Sequence, residues 1–226
     1  MSALERMTEK EAMSMLSGRD ALKRPCNRPR LVACELLVCD SYGGDCCGGA
    51  KDSNESWRIH DVSTGVVEAV AGEGILVSAA IGSCVAVAAL DAVRHVGGMA
   101  HIMLPGKAPG KVAAVKRCRY AEDAIERMIV RLDELGAVVE SLEVCLAGGG
   151  NVLRRNDDTI CEANMQSVRS LLEKKKLCVR AASLGGFERR RLSLNVAACS
   201  VYCGEGDDPD RLLWRSQSAC SSITTR

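Results

Sequence analysis

Aromatic residues are scarce: Phe, Trp and Tyr together make up 3% of the 226 residues. A chain so poor in flat rings has little on which to stack unpaired bases, which argues against single-stranded nucleic-acid binding. An excess of charge is missing too. The formal net charge is +1, so no bulk attraction to nucleic acid or to a membrane surface is expected. No run of about 18 apolar residues occurs, so neither a spanning helix nor membrane insertion is expected. The opening MSALERMTEKEAMSML is too charged for the apolar centre of a secretory signal. A cytoplasmic location follows as the expectation, and there the 13 cysteines are expected as free thiols. Metal-ligand spacing is absent as well. No pair is spaced C-x-x-C, and the nearest are Cys34 with Cys39, the adjacent Cys46 and Cys47, and Cys199 with Cys203; no metal site is expected from these.

What is present is enough apolar residue, 47%, to build one sizeable core. Three zones separate by composition. Residues 1–56 carry a short helix candidate with a capping box from Thr8 to Glu11, a basic stretch GRDALKRPCNRPR, a strand candidate LVACELLVCD and the linker-like SYGGDCCGGAKDSNES. This zone reads as a partly flexible N-terminal extension. Residues 57–203 alternate strands and helices and form the expected main domain. Residues 204–226 are polar and are expected to fray as a C-terminal tail.

Within the middle zone ILVSAAIG, VAVAALD, GGMAHIMLP, LEVCLAG and CVRAASLGG read as strands. RYAEDAIERMIVRLDELG places Tyr120, Ala124, Ile125, Met128, Leu132 and Leu135 on one helical face, with Gly136 placed to end the helix. Asp123 and Arg127 stand four apart, acid first, as a supporting pair. EANMQSVRSLLEKKKL repeats the helical pattern with Met165, Val168, Leu171 and Leu172. The fold class is α/β, with mixed sheets and two main helices.

Cys84 interrupts a small, apolar stretch, SAAIGSCVAV at residues 78–87. Only His60, His95 and His101 are available to it as imidazole partners. A hairpin turn centred between Ala92 and Val93 would set Leu90 opposite His95 and Cys84 opposite His101. Directly opposed residues share a face, with Cβ atoms about 5 Å apart. An imidazole at that distance favours the thiolate. Gly82 would let a substrate approach the backbone closely, and Ser83 or the Cys84 amide could hold an oxyanion. Ser78, six residues before the cysteine, falls on the same strand face and offers a hydroxyl to orient the imidazole. On these grounds alone a buried packing cysteine and a catalytic pair both stay open, packing being the commoner case. AGGGNVL, residues 147–153, lacks the lysine of a P-loop and reads as a tight turn at a strand end.

The run Ser78-Ala-Ala-Ile-Gly-Ser-Cys84, followed by Gly97-Gly-Met-Ala-His101-Ile-Met-Leu-Pro105, resembles the CheD family of chemoreceptor glutamine deamidases. Arg119-Tyr120-Ala121, Ala147-Gly148-Gly149 and Leu184-Gly185-Gly186 with Arg190 extend the likeness over roughly residues 57–196. The resemblance implies a layered α/β sandwich and hydrolysis of glutamine side chains on methyl-accepting chemoreceptors, through a Cys–His–Thr triad and without a cofactor. It implies Cys84 as nucleophile, His101 as general base and Ser78 where the family carries threonine. Gly148 and Gly149 would stand in the wall of the cleft with Gly82 and Ser83, and Asn151 would be a substrate contact. It also implies a second possible role, as a non-catalytic adaptor that binds chemoreceptor cytoplasmic helices or a CheC-type phosphatase. The chain departs from the family pattern at Ala80 and Cys161, each a glycine there, at Ser183, an aspartate there, and at Arg189, a small residue there.

Overall fold

The computed structural model describes residues 58–156 and 158–218. The helix, strand and linker expected within residues 1–56 lie outside them. Ten strands and two α-helices follow one another, with short 3-10 turns at Ala114–Arg119 and Val139–Ser141. The strands are β1 (Ile59–Asp61), β2 (Val67–Ala71), β3 (Ile75–Ile81), β4 (Val85–Asp91), β5 (Val96–Ile102), β6 (Glu143–Gly148), β7 (Cys178–Leu184), β8 (Arg190–Asn195), β9 (Ser200–Glu205) and β10 (Arg211–Arg215). The helices are α1 (Ala121–Glu134) and α2 (Ile160–Lys174).

Two five-stranded sheets result, ordered β1-β3-β8-β9-β10 and β2-β5-β4-β6-β7. Both are mixed: β1 runs parallel to β3 and β6 parallel to β7, while the other ladders are antiparallel. The second sheet is covered on both faces, which explains why all seven residues of β4 and all seven of β5 are buried. Val85, Val87, Ala89, Ala100 and Ile102 point to one face and pack with Ile125, Met128, Leu132, Val168 and Leu172 of the helices. Ala86, Ala88, Leu90 and Met99 point to the other and pack with Leu76, Ile81, Leu192 and Leu194 of the first sheet. The alternation of a β-strand thus divides the protein into helix, sheet and sheet layers. This is the α/β layering expected from the sequence.

Helix α1 buries Ala124, Ile125, Met128 and Leu132 as the spacing predicts, whereas Leu135 is 41% exposed. Gly136 takes φ +87°, the left-handed conformation that lets the chain turn off the helix. Asp123 does not use Arg127. It accepts instead from Arg117, at 2.6 Å, and from the Ala108 N–H at 2.8 Å, so it ties the preceding loop to the helix.

Two expectations are corrected. The β4–β5 hairpin pairs Asp91 with Val96 and Ala86 with His101, two residues away from the register that set Cys84 opposite His101. The physical cause is a four-residue loop. Asp91 Oδ1 accepts the Arg94 N–H at 3.2 Å, its Oδ2 accepts the Val138 N–H at 2.9 Å, and His95 adopts φ +50°. An Asx-type turn of this kind lengthens the connection beyond the two-residue hairpin. The chain beyond Cys203 is also ordered into structure: β9 runs on to Glu205, and β10 pairs antiparallel with it between Arg211 and Arg215. The backbone hydrogen bonds of β10, with Trp214 half-buried against the first sheet, hold a segment that composition alone marks as a frayed tail.

Candidate active site

The segment Gly82-Ser83-Cys84 is the crossover by which the chain leaves β3 in the first sheet and enters β4 in the second. Its course is set by hydrogen bonds to three successive carbonyls. Gly82 O accepts from the Gly150 N–H at 2.8 Å, Ser83 O from Asn164 Nδ2 at 2.9 Å, and Cys84 O from the Gly149 N–H at 2.7 Å. Just before it, β3 carries one extra residue relative to β8, between Ser78 and Ile81, and Ala80 there has φ +54°. This bulge turns the crossover toward the cleft.

A cleft of about 480 Å³ opens on this segment, lined by Gly82, Ser83 and Cys84 together with Gly150, Val152, Leu153, Arg155, Asp158, Thr159, Ile160 and Arg189. Cys84 is a free, half-buried thiol at its floor. Burial pushes that thiol above its ordinary pKa, partly offset by the N–H of Cys84 itself.

His101 is almost wholly buried in β5, on the face that looks toward the first sheet. Cys84 stands two residues before Ala86, the cross-strand partner of His101, so a register shift of two leaves cysteine and histidine on one face, in diagonal rather than direct opposition. Among the described residues no hydrogen bond joins the two side chains.

Ser78 reaches His101 from the other sheet. Its Oγ is 2.9 Å from His101 Nδ1 and donates to Val62 O at 3.0 Å. A hydroxyl has one proton. With that proton on the Val62 carbonyl, Ser78 Oγ accepts from Nδ1–H, which assigns the proton to Nδ1 and leaves a lone pair on Nε2. Burial holds the His101 imidazole below its ordinary pKa, against the opposing pulls of the Val62 carbonyl and of Asp61. That direction favours the uncharged ring. Thr64 Oγ1 lies 3.5 Å from Nε2. Neither Thr64 nor the Val62 carbonyl is visible from sequence, because each meets His101 across more than 35 residues of chain.

The remaining expected residues divide. Gly82 and Ser83 line the cleft; Gly148, Gly149 and Asn151 do not. Gly148 has φ +123°, and a Cβ there would collide with the Cys84 carbonyl. Gly149 has φ +65°, and a Cβ would overlap the Met165 side chain. Their lack of a Cβ lets the β6 end approach the Cys84 crossover. Asn151 Nδ2 donates to Arg155 O at 2.7 Å and its Oδ1 accepts from Arg155 N–H at 3.0 Å, both of which shape its own loop. No group of three or more His, Cys, Asp or Glu side chains among the described residues could hold a metal ion.

Arg190 is buried, donating to Ser183 Oγ at 2.8 Å and pairing with Glu205 at 3.1 Å. Its neighbour Arg189 reaches the cleft and is exposed.

Residues 103–205 match the family model described as CheD chemotactic sensory transduction. A protein from Chlorobium luteolum named as a probable chemoreceptor glutamine deamidase CheD is 37% identical over 151 residues, which cover 67% of this chain and 75% of that protein. The chain belongs to the CheD family. The chemoreceptor glutamine deamidases CheD of Halalkalibacterium halodurans and Thermotoga maritima are each 35% identical, over 52% and 54% of this chain and 75% and 76% of their own lengths. The matched residues begin just after His101 and so do not include Ser78, Cys84 or His101. No helix among the described residues is long and apolar enough to cross a membrane.

Proposed function

We propose that this CheD-family chain is a protein-glutamine deamidase, converting glutamine side chains of methyl-accepting chemoreceptors to glutamate with release of ammonia. The observation that carries the reading is the relay from His101 Nδ1–H to Ser78 Oγ to Val62 O, which leaves Nε2 as a base on the sheet face shared with a cleft cysteine.

In the first half-reaction His101 Nε2 takes the Cys84 thiol proton as Sγ attacks the side-chain carbonyl carbon of glutamine. The tetrahedral intermediate places negative charge on oxygen. As it collapses the C–N bond breaks, and His101 returns the proton so that ammonia leaves and a thioester remains. In the second half-reaction His101 deprotonates a water, whose oxygen adds to the thioester carbon. The C–S bond then breaks and His101 returns that proton to the departing Sγ, yielding glutamate and regenerating the Cys84 thiol. Burial disfavours both a free thiolate and an imidazolium, which favours proton transfer in step with attack over a preformed ion pair.

The test uses a chemoreceptor cytoplasmic fragment with native glutamines, followed by intact mass and ammonia release. The wild-type chain should add about 1 Da per converted glutamine, the difference between an amide and an acid, and Cys84→Ala should add none. Conversion by Cys84→Ala would overturn the nucleophile assignment. A wild-type chain that binds the fragment without converting it would point to the adaptor role instead.

A further inference from the structure

Asn164 is wholly buried in the second turn of α2, yet its side chain reaches away from the helix to the β3–β4 crossover and to the residue that follows β5. Nδ2 donates to Ser83 O at 2.9 Å and to Met103 O at 3.0 Å. The first carbonyl immediately precedes the nucleophile and the second lies two residues after His101. Oδ1 has no hydrogen-bond partner among the described residues. Rotating the amide by 180° would set Oδ1 against both carbonyl oxygens, so the donors are fixed on these two carbonyls at the cost of leaving the oxygen unsatisfied.

The consequence lies in the peptide between Ser83 and Cys84. No cis peptide occurs among the described residues, and in a trans peptide C=O and N–H point in opposite directions. Drawing the Ser83 carbonyl toward Asn164 therefore turns the Cys84 N–H away from α2. That N–H lies on the side of its own sulfur, where it favours the thiolate charge. A carbonyl that accepts a hydrogen bond also makes the N–H of the same peptide a better donor. The Gly150 N–H on Gly82 O does the same for the Ser83 amide.

We propose that Asn164 is a positioning residue that aims the Cys84 backbone N–H at the oxygen of the tetrahedral intermediate, while its second bond fixes that peptide relative to the His101 strand. The inference rests on Cys84 being an acyl-accepting nucleophile. An oxyanion donor acts only on a carbonyl reaction, because alkylation of sulfur by direct displacement generates no oxyanion.

That distinction supplies the test. In acylation by p-nitrophenyl acetate the Cys84 S–C bond forms, the ester C–O bond breaks and p-nitrophenolate leaves. In alkylation by iodoacetamide the S–C bond forms and iodide leaves. Both rates are measured on the full chain at one pH, with the modified cysteine located by peptide mass mapping. Asn164→Ala should lower acetylation of Cys84 about 10-fold or more while alkylation stays within about 2-fold. Asn164→Ser, which keeps one donor, should fall between wild type and alanine, and it decides the matter if the alanine variant fails to fold. An unchanged ratio of the two rates, or a parallel fall in both, would overturn the proposal. Failure of the wild type to be acetylated at Cys84 while being alkylated there would instead strike the deamidase reading itself.

Discussion

Ser78 Oγ of the first sheet and His101 Nδ1 of the second lie 2.9 Å apart, a polar link between the two sheets. Both side chains are buried, and the Val62 carbonyl closes the relay. Removing the hydroxyl in Ser78→Ala would leave Nδ1–H and the Val62 carbonyl without their shared partner. The imidazole could then present either nitrogen to the cleft. The expected result is a fall in kcat of about 10-fold or more with little change in KM, and a stability loss of about 1–3 kcal/mol. Ser78→Thr, which keeps the hydroxyl and restricts its rotamer, should retain activity. Steady-state kinetics and denaturant melts check both; a fully active alanine variant would remove Ser78 from the relay.

The pH dependence follows from burial at both reacting groups. His101 titrates below the ordinary imidazole value and Cys84 above the ordinary thiol value. The acid limb of kcat/KM should accordingly lie below about 6.5, since the base stays neutral to lower pH than a free imidazole would. For folding, the sign is that of a depressed pKa: below the unfolded value the unfolded chain binds the proton more tightly, so stability falls as pH drops toward the folded pKa. In the resting enzyme iodoacetamide labelling of Cys84 should rise steeply on the alkaline side rather than level off near neutrality. A plateau at neutral pH would indicate a preformed thiolate–imidazolium pair. Cys161, pushed up to about 12 by burial and by the neighbouring Asp158, should lag behind Cys84 throughout.

Much of this site was legible in the sequence because β-strand alternation is robust to some errors. The hairpin is displaced by two residues from the simplest reading, yet an even shift keeps Cys84 and His101 on one face. The bounds of β4 match the VAVAALD run because that strand is apolar on both faces. Strands β1, β2, β8, β9 and β10 were not legible, and the inward-facing Arg190 of β8 shows why. Its charge is satisfied by Ser183 and Glu205 from distant chain segments, so an apolar pattern is not needed there. Thr64 and Asn164 were hidden for a related reason: what matters is their contact with a ring nitrogen or with backbone carbonyls far away in the chain. Helix and strand periodicity carries no trace of such contacts.

Ala80 stands in the β3 bulge at φ +54°. That conformation is strained for a residue with a Cβ and free of strain for glycine, the residue the CheD pattern carries there. Ala80→Gly should therefore stabilise the protein by about 1 kcal/mol, after the unfolded-state entropy cost of glycine is set against the relieved strain. Thermal unfolding at constant pH measures this directly. A lower melting temperature would mean that the Ala80 methyl makes packing contacts that outweigh the strain.

Gly148 and Gly72 separate backbone strain from close approach. Both have positive φ, +123° and +72°, but nothing lies within 4 Å of a Cβ built on Gly72. A Cβ on Gly148 meets the carbonyl of Cys84 and the side chain of Ile81. Gly72→Ala should cost only the conformational penalty, about 1–2 kcal/mol, and leave deamidation intact. Gly148→Ala must in addition push the Cys84 crossover away from the end of β6, which breaks the bond from the Gly149 N–H to Cys84 O. Its loss of activity should exceed its loss of stability, so that at a temperature where the variant is still folded it deamidates at least about 100-fold more slowly, the loss expected once an oxyanion donor is misplaced. Equal behaviour of the two variants would show that the crossover tolerates displacement and that its carbonyl anchors do not govern the reaction.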